Sequence, residues 1–292
     1  MQHLVRFLTL AQLSLFGCAG AGSSSSSDAA LTLADSSDSQ SSERPDAAEV
    51  SDTGPADTGS ADAGVESSAD AEAVDAGTPA FCPAPTADLQ DVVGTPAGPY
   101  FVHHPDVAGP NVHTVVFVPG ADGSRDITTD FIWPLWLANG SRLGELRVLI
   151  PYTSDGDIRD ETARFAAVAK EALECFGGDP AHVHLAGTSN GGLAAFQALL
   201  EHPEPFATLL GAPGAFEVPP SDEALRQAFT GKAALLCVGQ LDDRSWRSAA
   251  TNLHARLEQL GLDSTLAELP GQGHILEASF DESLFFDFWL AH

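Results

Sequence analysis

Gly187-Thr188-Ser189-Asn190-Gly191-Gly192 lies between an apolar run, residues 182–186, and an Ala/Leu-rich stretch of helical spacing, residues 193–200. A strand that enters a tight glycine turn and leaves it as a helix presents the central Ser189 at the carboxyl edge of a sheet. The positive end of the helix dipole then lies beneath the serine. The flanking glycines keep side chains away from its hydroxyl. A strand passing directly into a helix also sets the class of fold, because the chain returns to the sheet as a parallel neighbour.

The same alternation recurs on both sides of this turn. Strand-like apolar runs occupy 114–118, 147–150, 206–210, 233–238 and 264–269. Helical spacing marks 157–175, 221–229, 245–260 and 276–290, while 129–138 carries Pro134 and reads as a short or broken helix. In 157–175, Phe165, Val168, Ala169 and Ala172 share one face, and Gly177-Gly178 is a stop. Such βαβα order predicts the α/β class, a mostly parallel sheet with helices on both faces. Ligands of these sheets gather beyond the carboxyl ends of the strands. There the sequence places Pro119-Gly120-Ala121-Asp122-Gly123, then Ser189, then Gly239-Gln240-Leu241-Asp242-Asp243, then Pro270-Gly271-Gln272-Gly273-His274. Ser, Asp and His each follow their own strand, in that order.

This order of turns resembles the α/β-hydrolase superfamily, and the resemblance covers nearly all of 82–292. It implies Ser189 as nucleophile, Asp242 as acid and His274 as base, with the backbone N–H groups of Ala121 and Asn190 forming an oxyanion hole. Many relatives carry His-Gly where this chain has Pro119-Gly120, a change beside the donor rather than in it. Within the superfamily, Gly-Thr-Ser-Asn-Gly-Gly with Cys175 shortly upstream is similar to the secreted polyhydroxybutyrate depolymerase and feruloyl esterase group. The fold implied is minimal: only 211–232, with Pro213, Pro219 and Pro220, separates the strand where lids are inserted from the next one. An open, shallow site suits short acyl chains or esters borne on a polymer, and argues against an interfacially activated lipase.

The chemistry needs these residue types. A serine hydroxyl becomes a useful nucleophile when a neutral imidazole accepts its proton. A carboxylate holds that imidazole in the right tautomer and stabilises the imidazolium, and preformed donors receive the oxyanion. No metal or organic cofactor is expected. His182 and His184 alternate on one strand without a third ligand at suitable spacing, and together with His103, His104 and His202 they read as surface or packing residues. Asp243 is the alternative acid, although the G-x-x-D spacing selects Asp242 and leaves Asp243 to cap the following helix. Trp133, Trp136 and Trp246 each follow a functional turn, and pocket lining and plain packing both remain open for them. A peptidase or amidase using the same triad is one alternative activity. A catalytically silent surface-binding protein is another.

Composition divides the 292 residues. Residues 1–18 read as an export signal, with His3 and Arg6 before an apolar 7–16 that is too short to span a bilayer. The end, Leu15-Phe16-Gly17-Cys18, resembles a bacterial lipoprotein box, which implies lipid on Cys18. An ordinary cleaved signal with an incidental cysteine is the alternative. Residues 19–79 are rich in Ser, Asp, Ala, Gly and Thr and have no aromatic residue, so a disordered tether is expected. Its aspartates lack the ordered spacing of a calcium loop.

Residues 80–292 form the expected catalytic domain. The net charge is −28 overall and −11 over 1–79, which leaves −17 for the domain. That argues against nucleic acid and anionic membrane surfaces as partners and mildly favours neutral or cationic substrates. The expected partners are an ester substrate and, through the lipid alone, a membrane; the expected state is an exported monomer. Of the remaining cysteines, Cys237 lies in an apolar run and reads as a packed thiol. Cys82 and Cys175, at the domain start and a helix end, are expected to pair in an oxidising compartment.

Overall fold

The computed structural model describes residues 81–292, except 87, 107–108, 135–139, 155 and 278–279. The expected signal, Cys18, the 19–79 tether and Trp136 lie outside the described residues. Eight strands form one sheet: β1 (Gln90–Val92), β2 (Tyr100–His103), β3 (His113–Val118), β4 (Leu146–Pro151), β5 (Val183–Gly187), β6 (Thr208–Gly211), β7 (Ala233–Gly239) and β8 (Asp263–Leu269). Their order is β1-β2-β4-β3-β5-β6-β7-β8, with β1, β2 and β4 paired antiparallel and every later pair parallel. The chain steps from β3 outward to β4, then returns past β3 to β5 and runs the other way. That reversal opens a crevice between the carboxyl ends of β3 and β5.

Period-two alternation sends each strand into two cores. Val116 and Val118 of β3, Leu209 of β6 and Leu236 of β7 face one side. Val115, Phe117, Leu210, Leu235 and Cys237 face the other. The first side is covered by α1 (Thr162–Phe176), α2 (Asn190–Glu201), α3 (Asp222–Phe229) and α4 (Arg244–Gln259), through residues such as Phe165, Phe196, Phe229 and Leu257. The second is covered by α5 (Ser283–Ala291), whose Phe285, Phe286 and Trp289 are buried, with Ile132 and Leu143 from short helical turns. Truncating a fully buried side chain such as Phe196 to Ala costs about 3–5 kcal/mol.

Several expectations are corrected. The antiparallel β1–β2 hairpin is absent from the sequence expectation altogether. The helix expected over 157–175 begins at Thr162, after a 3-10 turn, Ile158–Asp160, whose N-cap Asp157 accepts from the Arg159 backbone N–H. The last helix begins at Ser283 rather than 276, and the expected broken helix after β3 is an α turn, Arg125–Ile127, running into a π turn, Thr128–Ile132. Between β6 and β7 the only helix is α3, so no cap domain is inserted there.

The amino ends of the strands are braced. Arg147 of β4 is buried and donates to the carbonyls of Phe176 (3.0 Å) and Gly177 (2.5 Å), which closes the end of α1. Desolvation pushes its guanidinium down to about 10. Cys82 and Cys175 form a disulfide with Cα atoms 5.2 Å apart, tying the domain's first residues to the same helix end. Cys237 is a buried free thiol, held protonated by its burial.

Candidate active site

The switch-point crevice carries Ser189. Its backbone has φ 56° and ψ −124°, a strained geometry for a residue with a side chain. The elbow persists because α2 presses on both strands: a Cβ on Gly187 of β5 would lie 2.3 Å from the Gly191 carbonyl oxygen, and one on Gly191 would lie 2.2 Å from the Val118 carbonyl oxygen of β3. The Ser189 N–H donates to the Pro213 carbonyl (2.9 Å), and the Thr188 hydroxyl donates to the Ala212 carbonyl (2.7 Å). Both ends of the elbow are therefore tied to the strand end next door.

Two further turns complete the relay. The turn after β7 lies against the one after β8: the Leu241 N–H donates to the Gln272 carbonyl (2.8 Å), and a Cβ on Gly239 would sit 2.2 Å from the Gly273 carbonyl oxygen. This contact brings Asp242 under His274. The Asp242 side chain is fully buried, whereas that of His274 is about one-third exposed. His274 Nδ1–H donates to the Asp242 carboxylate, at 3.0 Å to Oδ1 and 3.2 Å to Oδ2. Oδ1 also accepts from the Asp243 N–H (2.7 Å). With the proton on Nδ1, the lone pair of Nε2 faces Ser189 Oγ at 2.9 Å.

Ala121 and Asn190 stand on either side of the serine. Ala121 follows β3 in a left-handed conformation, φ 54°, and shares that property with Ser189 alone among the described non-glycine residues. Neither its N–H nor that of Asn190, the first residue of α2, donates to a protein acceptor among the described residues. Two unpaired donors thus flank the hydroxyl, the Asn190 donor at the positive end of a twelve-residue helix. Such an array can receive charge that develops on an oxygen next to Oγ.

The structure brings Ser189, Asp242, His274, Ala121 and Asn190 to one crevice. Asp243 is exposed and occupies the N-cap position of α4, but its side chain makes no capping bond, so only the position matches the expectation. Trp246 lies with its ring 5.2 Å from that of His274, whereas Trp133 packs against His103 at 5.3 Å. Residues 241 and 275 are exposed apolar positions that sequence reasoning does not single out. Leu241 is 72% exposed and Ile275 58% exposed, each adjacent to a member of the relay. Exposure of that kind has no sequence signal, since apolar residues beside a strand end usually pack inward.

No protein-family model matches the chain, and no curated protein does. Solved structures do resemble it. Carboxyl esterase 2 from the mycorrhizal fungus Tuber melanosporum superposes with a TM-score of 0.50 at 14% identity, over 65% of this chain and 77% of its own. S-formylglutathione hydrolase from Staphylococcus aureus gives 0.50 at 12% identity, over 69% of this chain and 96% of its own. At such identities the likeness concerns architecture alone. With the strand order and the three carboxyl-end turns, it establishes that the described part of this chain has the α/β-hydrolase fold.

Proposed function

We propose that this chain is a serine hydrolase that cleaves carboxylic esters through an acyl-enzyme. The observation that carries the proposal is the continuous relay from Ser189 Oγ through His274 to the buried Asp242 carboxylate. His274 Nε2 takes the hydroxyl proton as Oγ adds to the ester carbonyl, and the Ala121 and Asn190 N–H groups receive the oxyanion. Collapse breaks the bond to the alcohol, which leaves with the proton from His274. Water, deprotonated by His274, then releases the acid and restores Ser189. Nucleophile, general base and oxyanion donors all come from the chain, so no step calls on a metal or cofactor.

An open site and an apolar rim point to the substrate class. The half-buried Trp246 beside His274, with the exposed Ile275 next to that histidine in the chain, offers apolar surface, and the domain's net charge disfavours anionic esters. A short acyl group, or an ester on an uncharged polymer, fits this rim. The narrower likeness to polyhydroxybutyrate depolymerases and feruloyl esterases belongs to the same reading. The protein works outside the cytoplasm as a monomer, anchored by lipid on Cys18 and carried on the 19–79 tether. The Cys82–Cys175 disulfide supports an oxidising compartment.

A panel of p-nitrophenyl esters of rising acyl length, run beside the matching anilides and a fluorophosphonate label, tests the activity. Expected are ester turnover far above anilide turnover and one label per chain, on Ser189. Anilide turnover equal to ester turnover would replace the esterase reading with an amidase. No turnover and no label would leave a silent binder. In cells, Cys18→Ser is expected to move the protein from the membrane fraction to the soluble one; retention there overturns the anchor.

A further inference from the structure

Ala121 presents a problem that the relay does not solve. It is exposed, has φ 54°, and belongs to a loop that must keep one N–H aimed beside Ser189. A left-handed alanine is strained relative to an ordinary backbone, so the loop relaxes unless something holds it. The bonds within the loop hold the peptide before Ala121 and the residues after it, but leave the Ala121 carbonyl unheld: Gly123 N–H donates to the Gly120 carbonyl (3.0 Å), and Ser124 N–H to Asp122 Oδ1 (3.0 Å). Neither reaches across to the nucleophile.

One side chain does. Asn190 Nδ2 donates to the Ala121 carbonyl oxygen at 2.7 Å, across 69 residues of chain. The orientation of the amide comes from chemistry, because only its NH₂ end can face a carbonyl oxygen. Asparagine is a poor helix former, and at the first position of α2 it satisfies no backbone group of its own helix. Its bond goes instead to the other wall of the crevice.

We propose that Asn190 is a positioning residue, whose side-chain amide clamps the Ala121 peptide so that the Ala121 and Asn190 N–H groups converge on one oxyanion. The assignment rests on the proposed hydrolase reading. With the Ala121 carbonyl held by Asn190 and the Gly120 carbonyl held by Gly123, both peptide planes flanking Ala121 are fixed, and so is the direction of its N–H. One residue thus contributes twice: its backbone donates to the oxyanion and its side chain aligns the second donor. The clamp acts on the transition state and leaves ground-state ester binding alone.

The test compares wild type with Asn190→Ala and Asn190→Asp. The aspartate variant keeps the size and places a favourable charge in the first helical turn, but lacks the donor. Measured are kcat and KM on p-nitrophenyl acetate, thermal midpoint, and affinity for phenylboronic acid, which forms a tetrahedral adduct on a serine. Loss of a whole oxyanion donor costs about 10²–10³ in kcat, so a misaligned one is expected to cost about 10–100-fold. Both variants should show that loss with KM within about twofold of wild type, and boronate affinity should fall in parallel with kcat. Asn190→Asp should keep its thermal midpoint. Variants with kcat and boronate affinity within twofold of wild type would overturn the clamp, as would a loss confined to KM or thermal midpoint. A wild type that neither turns over ester nor binds boronate would instead overturn the nucleophile assignment beneath it.

Discussion

Strands β3 and β5 carry histidines at their amino ends and the candidate catalytic turns at their carboxyl ends, and imidazoles at the two ends have opposite surroundings. At the carboxyl edge, His274 is part-exposed, with a carboxylate on one nitrogen and a hydroxyl on the other. At the amino edge, His113 lies between two other imidazoles, stacked on His182 at 4.2 Å and within 3.1 Å of His184 Nε2 through its Nδ1. His184 is fully buried, and its other nitrogen meets the Thr208 hydroxyl at 3.0 Å. Burial pushes His184 down to about 3, helped by the repulsion of His113, His182 and His292. An imidazole becomes a base when an acid supports its charge and solvent can reach it. Among other imidazoles and buried, it remains a neutral packing group.

The largest effects belong to the carboxyl edge. Ser189→Ala and His274→Ala should each lower kcat by roughly 10⁴–10⁶, with the double variant scarcely worse, since the pair acts as one unit. Asp242→Asn should cost about 10³–10⁴ by leaving His274 in the wrong tautomer, whereas the exposed Asp243→Asn should stay within about tenfold. At the other edge, His184→Gln should leave kcat within about threefold. Steady-state kinetics on the folded variants decide this. A large loss in Asp243→Asn moves the acid by one residue, and a large loss in His184→Gln breaks the contrast between the edges.

The next effect belongs to the amino edge and should not touch the chemistry. The Cys82–Cys175 bond spans 93 positions, for which chain entropy gives an upper figure of about 4–5 kcal/mol. Denaturant unfolding of the Cys82→Ser/Cys175→Ser pair should show a loss of that order or less, with kcat/KM unchanged. A fall in kcat/KM without a fall in stability would mean that the brace reaches the crevice.

The two edges also differ in how well they can be read. Each candidate catalytic turn comes after an apolar run and contains glycine, so the order Ser189, Asp242, His274 is legible in the sequence. The parallel strands are legible for the same reason, because strands buried on both faces are written as continuous apolar runs. The hairpin of β1 and β2 is not: its strands are three and four residues long and stand among Pro, Gly and Asp. The apolar spacing overruns the start of α5 because Leu276 and Phe280 continue it, although the helix begins only at Ser283. Arg147 hides inside a run that reads as simply apolar, since its acceptors are carbonyls at the end of a distant helix. The Asn190–Ala121 bond leaves no trace, because an alanine's carbonyl has no sequence signature.

The smallest predicted effect is the pH dependence that the amino edge should confer on stability. His184 and His113 are both depressed below the ordinary histidine value, chiefly by burial. The unfolded chain therefore takes up protons near pH 6.5, while the folded chain does so only nearer pH 3 at His184. Above about pH 6.5 both states are neutral and nothing is lost. Below it, stability falls by up to about 1.4 kcal/mol per pH unit for such a group, or about 2 kcal/mol at pH 5. The groups facing His184 are the His113, His182 and His292 imidazoles and the Thr208 hydroxyl, so no carboxylate stands against it to offset its charge. Asp179 bonds His182 Nδ1 at 3.0 Å and raises His113, which softens the effect one ring away. His103 and His104, also lowered by burial, add to the same window, with His104 held down at about 4. Replacing His184 by Gln should therefore flatten the stability profile between about pH 6.5 and 5 without abolishing its slope, as urea midpoints at several pH values would show. An unchanged slope in that variant would mean that His184 takes up no proton on unfolding. The two edges would then differ in burial but not in how they meet acid.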